Sequence, residues 1–110
     1  GLNQLTLLNL SDCGELRDIG PLANLTRLTS LDLSRCWELR DLDSLAGLIH
    51  LQTLNLVWCK KICDLGPLEN LTELRSLDLS HCGEFGDIGP LAGLTKLTTL
   101  DISDCWKRTF

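Results

Sequence analysis

One phrase returns every 23 residues. Cys13, Cys36, Cys59, Cys82 and Cys105 each close it: LTLLNLSDC from Leu5, LTSLDLSRC from Leu28, LQTLNLVWC from Leu51, LRSLDLSHC from Leu74 and LTTLDISDC from Leu97. A second phrase follows each of the first four, as in ELRDIGPLANLTR and EFGDIGPLAGLTK. Four whole repeats run 5–27, 28–50, 51–73 and 74–96; residues 1–4 match the end of a preceding repeat and 97–110 begin a fifth. The reading is one domain over 1–110 without a linker. A unit this short cannot bury its own apolar face, so the chain must stack its repeats into a solenoid. This also accounts for 28 Leu among 110 residues, against three Trp, two Phe and no Tyr or Met. Leucine recurring at 23 and not at 7 is solenoid core, not a zipper.

The phrase L-x-x-L-x-L-x-x-C resembles the signature of leucine-rich repeats. The convex phrase D-I-G-P-L-A-N-L-T, at residues 18–26, is similar to the repeats of bacterial internalins. Those repeats are usually 22 residues long and carry Asn where this chain has Cys. The resemblance implies a horseshoe that binds a protein. It also implies that the five repeated cysteines hydrogen-bond neighbouring loop backbone, as a structural ladder.

The residues give the same architecture independently. L-x-L has strand period, so its leucines point inward and the intervening residues outward. Strands returning every 23 residues stack in parallel, roughly 4.8 Å apart. Gly20-Pro21, Gly66-Pro67 and Gly89-Pro90 start short turns on the other side, too brief for a long helix. The fold class is an α/β repeat solenoid, with parallel β-strands on the concave face and 3₁₀ or irregular segments on the convex face. Asp18, Asp41, Asp64 and Asp87 precede these turns and read as acceptors for turn N–H groups. Repeat two has Asp43-Ser44 in place of Gly-Pro, and Asp43 is expected to cap its turn directly. A chain opening on Gly1, with Arg108 where other repeats place Leu16, Leu39, Ile62 and Phe85, reads as a section of a longer array or as ends that associate.

Net charge is −5, which argues against nucleic acid or an anionic membrane as the main partner. No apolar run reaches membrane-span length. No C-x-x-C motif occurs, and Cys59 and Cys63 enclose three residues without a nearby His, so neither a metal nor a cofactor is expected. Cys63 stands where other repeats have Arg17, Arg40 and Gly86 and should be the exposed, reactive thiol. Unpaired cysteines point to a reducing compartment. The internalin resemblance points to a secreted or surface location, and both remain open. Catalysis is not expected: His50 and His81 lie on different parts of the repeat, and Ser80 and His81, adjacent on a strand, point to opposite faces.

Function should sit where side chains vary and the scaffold does not require them. Outward columns run Asn9, Asp32, Asn55, Asp78, Asp101, and Ser11, Ser34, Val57, Ser80, Ser103. The next, Asp12, Arg35, Trp58, His81, Asp104, is the least repetitive. Trp37 and Trp106 flank it, and Arg75 interrupts the outer column Thr6, Thr29, Gln52, Thr98. The stacked aspartates admit a cation reading; short solvated residues are the simpler one. Trp and Arg are enriched in interface hot spots. The expected contact set is Arg35, Trp37, Trp58, Arg75 and His81, with Asp78 and Asp101 setting charge complementarity. The expected function is recognition of another protein on the concave face and adjoining loops. The alternative is a structural spacer, or a self-associating section of a longer array joined end to end through uncapped repeats.

Overall fold

The computed structural model describes residues 2–83, 85 and 87–105. Trp106 and Arg108, singled out above, lie outside the described residues. Five three-residue strands form one parallel sheet in chain order: β1 Leu7–Asn9, β2 Ser30–Asp32, β3 Thr53–Asn55, β4 Ser76–Asp78 and β5 Thr99–Asp101. Their register repeats the sequence period, Leu8 opposite Leu31, Leu31 opposite Leu54 and Leu54 opposite Leu77. Short 3₁₀ turns return the chain on the far side at Leu2–Gln4, Gly20–Asn24, Asp43–Leu45, Gly66–Leu68 and Gly89–Leu91. No helix of the described residues is long and apolar enough to cross a membrane.

The core is the leucine ladder. Leu28, Leu33, Leu39, Leu45, Leu48, Leu51 and Leu56 are wholly buried, and Leu31 and Leu54 nearly so. Burying each such side chain stabilises by about 1.5–3 kcal/mol. The terminal rungs lack that cover. Leu100, aligned with buried Leu31 and Leu54, is 43% exposed, and Leu2, aligned with buried Leu48 and Leu71, is 76% exposed.

Four of the five convex turns are entered as the aspartates suggest. The carboxylate Oδ1 of Asp18, Asp41, Asp64 and Asp87 accepts the N–H of Gly20, Asp43, Gly66 and Gly89 at 2.7–2.8 Å. In repeat two the acceptor is therefore Asp41, and the expectation that Asp43 caps the turn is corrected: Asp43 opens the turn as the N–H donor, and Leu42 stands at the N-cap without a side-chain cap bond. The neighbouring Asp41 charge pushes the Asp43 carboxyl above its ordinary pKa, with burial adding to it.

The cysteine column is a hydrogen-bonded ladder. Cys36 Sγ donates to the Leu10 carbonyl at 3.4 Å, Cys59 to Leu33 at 3.1 Å, Cys82 to Leu56 at 2.8 Å and Cys105 to Leu79 at 3.0 Å. Each thiol thus ties its loop to the strand end of the preceding rung. Cys63 stands apart and is exposed.

Candidate partner-binding site

The strands are shorter than the L-x-L alternation suggests, and this moves several columns. The open sheet displays Leu7, Ser30, Thr53, Ser76 and Thr99 beside Asn9, Asp32, Asn55, Asp78 and Asp101. The serine column expected beside them is not on the sheet: Ser11, Ser34, Val57, Ser80 and Ser103 fall in the turn after each strand, and Ser80 is buried. The Asn/Asp column builds that turn. Its Oδ1 atoms accept the N–H two residues on, at 2.8 Å for Ser11, 2.9 Å for Ser34 and 3.0 Å for Val57. Asp78 and Asp101 each also accept their serine hydroxyl, at 2.7 Å. The Ser103 hydroxyl, then its N–H, hold the Asp101 carboxyl below the usual carboxylate range, and nearby His81 adds a smaller pull. This carboxylate column is consumed largely by backbone turns. Among the described residues, no group of three or more His, Cys, Asp or Glu is placed to hold a metal.

The next residue in each turn is left-handed. Asp12, Arg35, Trp58, His81 and Asp104 have φ between 57° and 63°. They are third in a four-residue turn closed, for example, by Cys59 N–H donating to the Leu56 carbonyl at 3.1 Å. That turn position demands positive φ and suits Gly or Asn. Asp and His tolerate it because their short polar side chains bond locally; Arg and Trp do not share that advantage. Their N–H groups still extend the sheet, Arg35 to the Val57 carbonyl at 2.7 Å and Trp58 to Ser80 at 3.0 Å. The column therefore forms a rigid rim along the C-terminal ends of the strands.

Side chains on the rim pair from rung to rung. Arg35 Nη1 lies 3.4 Å from Asp12 Oδ1. The Trp58 and His81 rings stack with centroids 4.2 Å apart and planes at 6°. His81 Nε2 lies 3.6 Å from Asp104 Oδ2. Beyond the ring pair, a recess of about 460 Å³ is lined by Trp58, His81, Asp104 and Cys105. Trp37 stands two residues past the rim position; Lys60 Nζ sits 5.2 Å from its ring centroid, a cation–π contact. Both indoles keep substantial exposure, 47% for Trp37 and 39% for Trp58.

The expected contact residues do not form a single cluster. Arg35, Trp58 and His81 share the rim, with Trp37 beside it; Asp78 and Asp101 lie on the sheet just before it. Arg75 does not join them. It precedes β4, exposed at the opposite edge of the sheet, where its carbonyl accepts the Thr98 N–H at 2.8 Å. His81 stands six positions after Arg75, at most roughly 20 Å of extended chain. A larger recess that the repeat columns do not point to, about 910 Å³, lies on Arg75's edge around Ile49 and His50. Its signal was available: Ile49 occupies a position held by Thr26, Thr72 and Thr95 in the other repeats.

A parallel sheet with one short strand per repeat, an inward leucine ladder and a hydrogen-bonded cysteine column define a leucine-rich-repeat solenoid. The chain belongs to the leucine-rich-repeat family: one family model (two repeat copies) matches residues 3–47, and a second matches 47–66, 70–89 and 93–106. Its repeats are internalin-like. Internalin C2 of Listeria monocytogenes is 39% identical with a TM-score of 0.87, over 94% of this chain and 44% of that one. An internalin (inlF) of the same organism is 30% identical with a TM-score of 0.58, over 86% of this chain and 34% of that one. The functional domain of InlJ from Listeria monocytogenes, described as including a cysteine ladder, is 25% identical with a TM-score of 0.62, over 100% of this chain and 28% of that one. The chain thus spans less than half the length of each. No curated protein matches it. Leucine-rich repeats as a class are non-enzymatic scaffolds that present extended binding surfaces to other proteins.

Proposed function

We propose that this chain is a protein-recognition module whose partner docks along the concave sheet and its rim. Arg35, Trp37, Trp58 and His81 make the rim contacts, and Asp78 and Asp101 supply negative charge from the sheet. Arg75 would meet the partner only at the far edge. The observation that carries the reading is Trp58: a half-exposed indole held at φ 62°, where Asn or Gly would be cheaper. Left-handed backbone costs an ordinary residue about 1–2 kcal/mol. An aromatic kept there and braced against His81 is a rigid anchor, and a rigid anchor loses little freedom on binding.

The test uses Trp58→Asn/Arg35→Asn, because Asn accepts the left-handed turn. Both single changes should leave the melting temperature unchanged or raise it. Pull-down from cell extract would compare wild type and double variant in reductant. A protein retained by wild type and lost by the variant supports the rim reading; equal retention by both removes Trp58 and Arg35 from the interface.

The alternative, a spacer or self-associating section, draws on two observations. The concave Asn/Asp column is occupied by turn hydrogen bonds, and the leucines of the terminal rungs are exposed. A folded chain that retains no protein from extract would favour it.

A further inference from the structure

The larger recess lies where the chain enters each strand, across the sheet from the Trp58 rim. It spans about 910 Å³, and Ile49, 51% exposed, is its apolar lining residue. Threonine at this position in the other repeats shows that the scaffold does not need a branched hydrocarbon there. Arg27, His50 and Gln52 stand around it. The Arg27 guanidinium donates to Gln4 Oε1 at 2.9 Å, a neutral partner that leaves its charge uncompensated. Glu73, the carboxylate of this recess, is already held by Lys96 Nζ at 2.9 and 3.0 Å.

The two edges of the sheet differ in charge. Along the entering edge Arg27, Arg75 and Lys96 outnumber Glu73. The sheet and the Trp58 rim carry Asp12, Asp32, Asp78, Asp101 and Asp104 against Arg35. In a chain of net charge −5, the entering edge is thus a positive margin with an exposed aliphatic group in it.

We propose that the Ile49 recess is a second docking site, independent of the rim, for an acidic–aliphatic segment of a protein partner. An aliphatic side chain of that segment covers Ile49, removing its apolar surface from water. A neighbouring carboxylate pairs with Arg27, whose planar fork suits a two-oxygen acceptor. Arg75, one rung on, extends the attraction along the segment.

The probe is an N-acetylated pentapeptide alternating aspartate and leucine, titrated into the ¹⁵N-labelled chain. Amide shifts are expected to concentrate at Ile49, His50, Gln52 and Thr72. Ile49→Thr, which installs the residue of the other repeats, and Arg27→Gln should each weaken binding about fivefold or more. Trp58→Asn should leave the titration unchanged, so failure here and failure of the rim reading are separable. The proposal is overturned if the peptide causes no shifts, or if Ile49→Thr binds as wild type does. It is equally overturned if replacing aspartate by asparagine, or leucine by serine, leaves the shifts intact, or if inorganic phosphate alone reproduces them.

Discussion

Cys82 donates its thiol proton to the Leu56 carbonyl at 2.8 Å, and Cys59 does the same for Leu33. Burial, the dominant cause, pushes the Cys36 and Cys82 thiols up and Cys59 up to about 12. An unfolded thiol titrates at about 8.5. Below that pH both states keep the proton, and the ladder's contribution is fully present. Above it the unfolded chain gains thiolates that the folded chain resists, so stability falls as pH climbs towards the folded values. Thermal melts in reductant should show a plateau through neutral pH and a steady loss from about pH 9 upwards; a flat profile to pH 10.5 would contradict the ladder. Thiol labelling should separate Cys63, exposed and outside the ladder, from Cys36, Cys59 and Cys82, which should label only as the chain opens. The ladder's bonding role is legible through the resemblance to leucine-rich repeats, which implies it for the repeated cysteine position. The left-handed backbone beside it is only faintly marked in the sequence, by Asp12, His81 and Asp104 in one column, residues that tolerate positive φ.

The turns are the elements on which both faces depend. On the convex side Asp64 Oδ1 accepts the Gly66 N–H at 2.8 Å, and Asp64→Ala should cost about 1 kcal/mol in denaturant unfolding. Asp64→Asn keeps an oxygen at that place and should recover most of the loss. On the rim side Gly83 has no room for a side chain: a Cβ there would overlap the Lys60 carbonyl oxygen. Gly83→Ala should therefore destabilise by about 1–3 kcal/mol. At Gly14, the same repeat position, a Cβ meets nothing within 4 Å, and alanine there should be tolerated. The repeat pattern fixes which residue opens a turn but not which loops touch, because loop contact depends on the rung above and below. That is why the sequence points to Asp43 at the turn start when Asp41 supplies the acceptor. It is also why the serine column looks like sheet surface in the sequence when Ser80 is buried in a turn.

At the scale of the molecule, stability passes from neighbour to neighbour, and position along the array should decide what a core mutation costs. Leu54 and Leu100 are equivalent residues two rungs apart, 2% and 43% exposed. Leu54→Ala removes packing from both adjoining rungs and should cost about 2–5 kcal/mol. Leu100→Ala, in a monomer, removes a side chain only a little more than half buried and should cost about 1 kcal/mol. If the isolated chains pair through their ends, the exposed Leu2 or Leu100 becomes interface, and the melting temperature rises with protein concentration. Leu100→Ala would then reduce that concentration dependence where Leu54→Ala would not. Light scattering with concentration-dependent melts decides the matter. A strict monomer at high concentration, with one melting temperature throughout, removes the end-to-end reading. An association abolished by Leu100→Ala would instead make the exposed ends the first interface, and the two sheet edges would then line up along a longer continuous array.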